Sequence, residues 1–164
     1  MRKFTGVLCG ALMIFGIAKA DMDIPMYSIS PAKGDKIGKV TAKATPYGVL
    51  LVPNLQKLSP GMHGFHLHVN PTCGDDGMSA GGHFDPGQTN KHLGPYDNQG
   101  HLGDLPALYV DPQGNATLPI LAPRLKLSDL TGHALMVHEG GDNYSDVPIK
   151  LGGGGARIAC GVIK

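Results

Sequence analysis

The sequence predicts an all-β protein, an eight-stranded antiparallel Greek-key sandwich or flattened barrel (immunoglobulin-like) with two long functional loops. Glycine and proline are frequent, with 25 and 13 residues among 164, whereas tryptophan is absent and other aromatic residues are few. This composition is typical of short strands joined by turns rather than of helical bundles. Apolar residues recur in short runs between turn residues, and no stretch has a long helical period. The length suits one domain with a substantial core.

The first half of the chain contains four predicted strands. The second of them alternates apolar and polar residues, as a half-buried strand does. Pro25 lies near the start of the first strand, where a missing backbone donor is tolerated, and Pro53 is predicted to end the third. The four strands cover residues 24–29, 37–44, 47–52 and 61–69.

The second half of the chain contains four more predicted strands and two long loops. The strands cover residues 105–110, 116–121, 134–137 and 157–162, and the first two flank a turn-rich segment that favours a hairpin. Residues 70–103 and 123–156 do not fit the strand spacing, and loops of this length in a compact domain are usually functional or disordered. The four glycines at residues 152–155 are interpreted as a flexible turn rather than a binding loop.

The first twenty residues resemble an export signal. The start is basic, residues 4–18 form an apolar run too short to span a bilayer, and Ala18-Lys19-Ala20 fits a small-residue cleavage site. We expect residues 1–20 to be removed and residues 21–164 to form the mature domain, with an uncleaved anchor as the alternative. Removal takes three of the 14 basic residues, so 11 remain against 13 acidic residues and the net charge is −2. A chain with this slightly negative net charge lacks the excess of positive charge that is typical of nucleic-acid-binding proteins.

Two cysteines, Cys73 and Cys160, remain after cleavage. An even pair in a secreted protein indicates a disulfide. Closing a loop of about ninety residues would stabilise the fold by roughly 4–5 kcal/mol if the effect comes from chain entropy. The alternative is that both thiols are soft metal ligands, which the abundance of histidine disfavours.

Six of the eight histidines lie between residues 63 and 104. A buried imidazole needs a hydrogen-bond partner or a metal, so this concentration predicts a metal site. His66 and His68 are two residues apart on a predicted strand and point to one face, which lets them bind one metal. His138 ends an apolar strand and is a natural further ligand. His63 lies on the face opposite His66 and is predicted to be a buried structural histidine.

A second candidate set of ligands lies in the first long loop. His83, His92 and His101 follow one another at steps of nine, and Asp104 comes three residues later. Three imidazoles and one carboxylate form a closed tetrahedral set, which suits structural zinc. His133 has no evident role and is interpreted as a loop or supporting histidine. The chain lacks the phosphate-binding glycine motif and the serine-nucleophile motif, so nucleotide chemistry and serine hydrolysis have no support.

Six motifs resemble the copper/zinc superoxide dismutase family, in the family's order and over nearly all of residues 24–164. The motifs are Gly64-Phe65-His66-Leu67-His68, Gly82-His83-Phe84-Asp85-Pro86, Lys91-His92-Leu93-Gly94-Pro95, Gly100-His101-Leu102-Gly103-Asp104-Leu105, Val137-His138-Glu139 and Gly155-Ala156-Arg157-Ile158-Ala159-Cys160-Gly161-Val162-Ile163. Residues 92–96, 121–125 and 140–146 resemble the bacterial periplasmic branch of that family, and the export signal agrees with it.

The resemblance implies which residues bind each metal and what their neighbours do. Copper would be held by His66, His68, His83 and His138, and zinc by His83, His92, His101 and Asp104, with His83 bridging the two ions. Asp142 would link His66 to His92 and orient both rings. Arg157 would attract an anionic substrate beside the copper. Cys73 and Cys160 would form the family disulfide.

The implied activity is disproportionation of superoxide to oxygen and hydrogen peroxide by Cu(II)/Cu(I) cycling, with a structural zinc beside the copper. His83 would leave copper on reduction and carry a proton to the peroxide. The protein would act in the periplasm as a monomer or homodimer, with no nucleic-acid partner and no membrane contact after signal cleavage. One alternative is a periplasmic copper/zinc buffer or delivery protein, which would not need Arg157. Another is a purely structural or adhesive sandwich, which would not need the ligands.

Overall fold

A computed structural model describes residues 20–30 and 34–164. Within these ranges the chain forms nine β-strands and three short 3-10 helices, and no helix there is long and apolar enough to cross a membrane. The predicted leader, residues 1–20, lies outside the described residues except for Ala20. The strands are β1 (Met22–Ser28), β2 (Lys36–Thr45), β3 (Gly48–Leu55), β4 (Gly61–His63), β5 (Phe65–His68), β6 (Leu108–Val110), β7 (Ile120–Ala122), β8 (His133–His138) and β9 (Arg157–Ile163), and the 3-10 helices are Met78–Ala80, Leu127–Asp129 and Leu151–Gly153.

Seven strands form one antiparallel sheet in the order β5-β8-β9-β1-β2-β3-β7, and β4 pairs with β6 in a second small sheet. β1, β2 and β3 pair consecutively, whereas β9 returns from the end of the chain to pair with β1. A strand that returns to lie beside the first is the Greek-key pattern. The predicted all-β antiparallel class with Greek-key connections is therefore confirmed.

The third predicted strand does not end at Pro53. β3 continues to Leu55, with Pro53 opposite Val40 of β2. Proline is tolerated here because its nitrogen faces away from β2, on the same side as the Leu55 N–H that donates to Ala116. On that side β7 pairs only with residues 49–51, so no ladder hydrogen bond is lost at Pro53.

The fourth predicted strand, residues 61–69, is two strands rather than one. Gly64 separates β4 from β5, and its N–H donates to the carbonyl of Gly140 at 2.7 Å while its carbonyl accepts from the N–H of His138 at 2.8 Å. The chain thus crosses from the small sheet to the large one at Gly64. This crossing raises the strand number from the predicted eight to nine.

The core lies between the curled faces of the sheet and the loops that cover it. Its largest fully buried side chains include Phe65, Ile24, Met26, Leu51, Leu67, Leu108 and Leu135. A smaller apolar cluster beside Cys73 contains Ile29, Ala80, Ala134, Met136 and Cys160.

Cys73 and Cys160 form a disulfide across a sequence separation of 87. It ties the irregular segment after β5 to β9, the last strand. The predicted disulfide is confirmed, and the alternative that these thiols are metal ligands is wrong.

Candidate metal centre

The first set of candidate ligands consists of four buried histidines whose ligand atoms all lie within 4.8 Å of one another: His66, His68, His83 and His138. His66 and His68 share one face of β5, and β5 pairs with β8, which ends at His138. His83 comes from the long loop and is held against β5 by an isolated bridge to His68. Strands therefore position three of the four imidazoles.

The second set consists of His83, His92, His101 and Asp104, also buried and within 4.8 Å of one another. The carboxylate oxygen Oδ1 of Asp104 lies 2.9 Å from Nδ1 of His83, 3.0 Å from Nδ1 of His92 and 3.3 Å from Nδ1 of His101. His83 belongs to both sets, so its ring lies between the two positions that could hold a metal.

The hydrogen bonds of His66 and His92 leave one nitrogen of each ring for a metal. Nε2 of His66 donates to Asp142 Oδ2 at 2.8 Å, and Nε2 of His92 donates to Asp142 Oδ1 at 2.7 Å. Nδ1 of His66 is buried and has no hydrogen-bond partner, whereas the buried Nδ1 of His92 faces the carboxylate of Asp104 at 3.0 Å. When such a ring is neutral and donates through Nε2, its Nδ1 has a lone pair, and this buried acceptor fits a cation.

His68 and His138 show the complementary arrangement. Nδ1 of His68 donates to the carbonyl of Gly81 at 2.9 Å, and Nδ1 of His138 donates to Gly155 at 3.2 Å. Their Nε2 atoms are 3.4 Å apart. Both Nε2 atoms then have lone pairs, and two acceptors facing each other need a cation between them. The residues present therefore fit bound metal ions in both sets.

Burial keeps the first set neutral and able to bind a metal. It lowers the pKa of His66 to about 3, that of His68 to about 2 and that of His138 to about 4. Burial also lowers the pKa of His83. Neutral imidazole is the form that coordinates metals, so little protonation competes with binding near pH 7.

The second set is arranged around negative charge. Burial alone would lower the pKa of His92, but hydrogen bonds with Asp104 and Asp142 outweigh it and raise that pKa to about 9. Burial alone would raise the pKa of each carboxyl, but hydrogen bonds with histidines hold the pKa of Asp104 and of Asp142 well below the usual range. Two ionised carboxylates around His92 favour positive charge there, which a divalent cation supplies.

His63 and His133 lie outside both sets. His63 is buried, with Nδ1 2.7 Å from the carbonyl of His138 and Nε2 2.8 Å from that of Ser59. It therefore has the structural place that the sequence predicts for it. The ring of His133 packs on Phe84 with a centroid separation of 4.1 Å, and its Nδ1 lies 2.8 Å from the carbonyl of Val69.

Arg157 begins β9 opposite His138. Its guanidinium donates to the carbonyls of Gly77 and Gly81, and Gly81 also accepts the hydrogen bond from His68. Gly77 packs closely on this side chain, because a Cβ there would lie 2.9 Å from Cδ1 of Ile29 and 3.0 Å from Cδ of Arg157. The irregular segment after β5 is thus folded around the Arg157 side chain, next to the first set.

Two residues that the sequence analysis did not single out, Asp146 and Tyr144, form hydrogen bonds that fix the loops around His92. Asp146 Oδ2 accepts the backbone N–H of His92 at 2.9 Å. The hydroxyl of Tyr144 accepts the N–H of Ala107 at 2.9 Å, and the backbone N–H of Tyr144 donates to Asp142 at 2.7 Å. Both residues lie, with Asp142, in residues 140–146, so the resemblance of that segment to the bacterial branch was the available signal.

A β-barrel with two ligand sets that share one histidine defines a class of protein with a binuclear metal centre. The family model described as copper/zinc superoxide dismutase (SODC) matches residues 36–163. Curated relatives carry the same description. The superoxide dismutase [Cu-Zn] of Legionella pneumophila is 55% identical over 165 residues, covering 100% of both chains. Superoxide dismutase [Cu-Zn] 1 of Salmonella typhimurium is 58% identical over 146 residues, covering 84% of this chain and 82% of the relative.

Solved structures agree with these sequence matches. The Cu/Zn superoxide dismutase from Brucella abortus matches with a TM-score of 0.82 and 46% identity, covering 88% of this chain and 100% of that chain. The monomeric copper, zinc superoxide dismutase from Salmonella enterica matches with a TM-score of 0.76 and 48% identity, with coverage of 88% and 100%. This chain belongs to the copper/zinc superoxide dismutase family.

Proposed function

We infer that this protein is a superoxide dismutase, which converts superoxide to oxygen and hydrogen peroxide with one copper and one zinc. The observation that carries this function is the single histidine shared by two buried ligand sets with unsatisfied ring nitrogens. When bound, copper supplies a one-electron Cu(II)/Cu(I) couple, whereas zinc has no redox chemistry. We assign copper to His66, His68, His83 and His138, and zinc to His83, His92, His101 and Asp104.

His83 is proposed to move a proton. Its Nδ1 lies 2.9 Å from Asp104, so Nε2 is the nitrogen that remains for the first set. Nε2 is therefore the atom from which His83 would give a proton to the peroxide. The contact between Nδ1 and Asp104 keeps the ring in place while Nε2 gains and loses its proton.

Arg157 is proposed to attract superoxide. Its guanidinium stays positively charged and is held beside the first set by the carbonyls of Gly77 and Gly81. A fixed positive charge in a partly buried site raises the local concentration of a small anion and its rate of capture. A copper/zinc buffer or delivery protein would not require this charge at the copper.

Removal of the Arg157 charge should slow capture without releasing either metal. We expect Arg157→Ala to lower kcat/KM for superoxide about tenfold or more and to flatten its dependence on ionic strength. Pulse radiolysis at several salt concentrations, with metal content counted on the same sample, measures both effects. Lys43→Ala is the matched control, because Lys43 lies on β2, which contributes to neither set. An unchanged rate and salt slope in Arg157→Ala would exclude this role.

Residues 1–20 are proposed to export the protein to the periplasm. The basic start, the short apolar run and the Ala18-Lys19-Ala20 sequence support this, and the Cys73–Cys160 disulfide suits an oxidising compartment. The mature chain, residues 21–164, would act there as a monomer or homodimer. Amino-terminal sequencing of the protein from a periplasmic fraction tests the cleavage, and sedimentation of the same sample measures its mass.

Turnover by the mature protein tests the function as a whole. We expect one copper and one zinc per chain, together with fast superoxide disproportionation that is lost when copper is removed. Full metal loading without turnover would instead support the copper/zinc buffer.

A further inference from the structure

Arg124 follows β7, and its guanidinium binds a cluster of backbone carbonyls. Nε donates to Pro95 at 3.0 Å, and Nη1 donates to Gly100 at 3.2 Å. Nη2 donates to Gly94 at 3.0 Å and also to His101. Four of its five N–H groups therefore bind the main chain of one short segment.

The segment that Arg124 binds runs between two of the proposed zinc ligands. His92 and His101 lie at its ends, and it contains no strand, so no ladder holds it in shape. The copper ligands His66 and His68 differ in this respect, because β5 is paired with β8. Side-chain contacts must therefore hold the 92–101 segment, called here the zinc loop, in its shape.

The charge of Arg124 is directed at the zinc loop. Within the described parts of the chain no carboxylate forms an ion pair with Arg124, although Asp97 and Asp104 interact with it electrostatically. Leu125, the next residue, is buried in the core and anchors the arginine backbone. A planar guanidinium that donates hydrogen bonds to several carbonyls holds a backbone more rigidly than the ammonium group of a lysine does.

We propose that Arg124 is a positioning residue for zinc: it holds the zinc loop in the shape that brings His92 and His101 to Asp104 before the metal binds. This proposal rests on the zinc site assigned above. A preformed loop loses less conformational entropy when the metal binds, so its shape contributes to affinity. The inference concerns the loop alone, because strands position most of the copper set.

Zinc affinity in variants of the mature protein tests this role. We expect Arg124→Met to bind Zn²⁺ about 10- to 100-fold more weakly than the wild type, as is typical when a group that orients metal ligands is lost. Arg124→Lys keeps the charge but not the fork and should recover only part of this loss. Competition with a zinc chelator, starting from metal-free protein, measures each affinity. Lys126→Met is the control, because it removes an exposed positive charge two residues away.

Two further measurements separate positioning from a general loss of stability. Co²⁺ placed in the zinc site should show an altered visible spectrum in Arg124→Met, whereas Lys126→Met should keep the wild-type spectrum. Copper affinity should fall less than about threefold, and the urea midpoint of the metal-free protein should change little. Equal losses for both metals together with a lower midpoint would mean that Arg124 only stabilises the fold, and would overturn the proposal.

The results also distinguish this proposal from the proposed function. A wild-type protein that binds one zinc and disproportionates superoxide, with Arg124→Met equal to it in zinc affinity and Co²⁺ spectrum, overturns the role of Arg124 alone. The role of Arg124 is likewise overturned if Lys126→Met loses as much affinity as Arg124→Met. A wild-type protein that binds no zinc contradicts the proposed function, and the role of Arg124 with it.

Discussion

Gly152 brings the backbone of the last long loop directly against Asp142 and His92, two residues of the proposed metal centre. Its φ is +74°, and a Cβ there would lie 2.0 Å from Asp142 Oδ1 and 2.8 Å from Nε2 of His92. The interpretation of residues 152–155 as only a flexible turn is therefore incomplete. Gly155 has a similar φ of +69°, but a Cβ there would meet no atom within 4 Å. The two glycines therefore have similar φ angles but differ in crowding.

This difference predicts opposite behaviour of two alanine variants. Gly152→Ala should displace the Asp142 carboxylate from His92 and weaken binding of both metals about tenfold or more, because Asp142 orients a ligand of each set. Gly155→Ala imposes a comparable left-handed backbone without the collision and should keep both affinities within about threefold. Chelator competition for copper and for zinc measures the affinities. Equal losses in the two variants would show that backbone strain, and not the position of Asp142, is responsible.

At the scale of elements, the strands follow the sequence pattern more closely than the loops do. The predicted strand at residues 37–44 matches β2 within a residue at each end, because alternation of apolar and polar residues is a local signal. The break at Gly64 is not local, since it depends on a hydrogen bond with Gly140. No pattern within residues 61–69 reports that partner.

In the candidate site, too, local spacing predicted some groupings of residues, whereas contacts between distant segments were not predicted. Histidine spacing was enough to group His66 with His68, and to group the loop histidines with Asp104. The arginine and tyrosine that shape the loop were not singled out, because Arg124 and Tyr144 contact residues 23 to 37 positions away. Contacts between distant irregular segments leave no periodic trace in a single sequence.

The disulfide joins the first long loop to the last strand and should carry much of the stability of the metal-free protein. We expect the double variant Cys73→Ala, Cys160→Ala to lose about 2–5 kcal/mol of unfolding free energy, because the cross-link closes a long loop in the unfolded chain. Urea denaturation of metal-free protein measures the loss. Reduced wild-type protein is the control that keeps the sulfur atoms in the core. A loss below about 1 kcal/mol in both samples would contradict this expectation.

At the scale of the whole molecule, the buried histidines make the stability of the metal-free protein depend on pH. His66, His68 and His138 have pKa values of about 3, 2 and 4 in the fold against an ordinary histidine pKa of 6.5. Below pH 6.5 the unfolded chain binds protons that the folded chain does not, so stability falls with decreasing pH. His92 has the opposite effect on stability, because folding raises its pKa to about 9. Its stabilising contribution is fully present below pH 6.5 and is lost as the pH rises from 6.5 through 9.

These signs predict that the metal-free protein is most stable near pH 6.5. Its stability should fall at lower pH because of His66, His68 and His138, and fall from pH 6.5 to about 9 because of His92. From pH 6.5 down to about 4, each of His66, His68 and His138 should lower the free energy of unfolding by up to about 1.4 kcal/mol per pH unit. Urea denaturation at a series of pH values, in the presence of a chelator, measures the slope. Stability that stays constant or increases between about pH 6.5 and pH 4.5 would show that the folded protein binds these protons as readily as the unfolded chain does.

The carboxylate of Asp142, which accepts a hydrogen bond from a histidine of each set, has a consequence for how the two metals are loaded. One carboxylate orients a ring in each set, so we expect the first ion to bind to favour the orientation that the second ion needs. The two binding events are then cooperative, and thermodynamic linkage makes the cooperativity reciprocal. Zinc must raise the affinity for copper by the same factor by which copper raises the affinity for zinc.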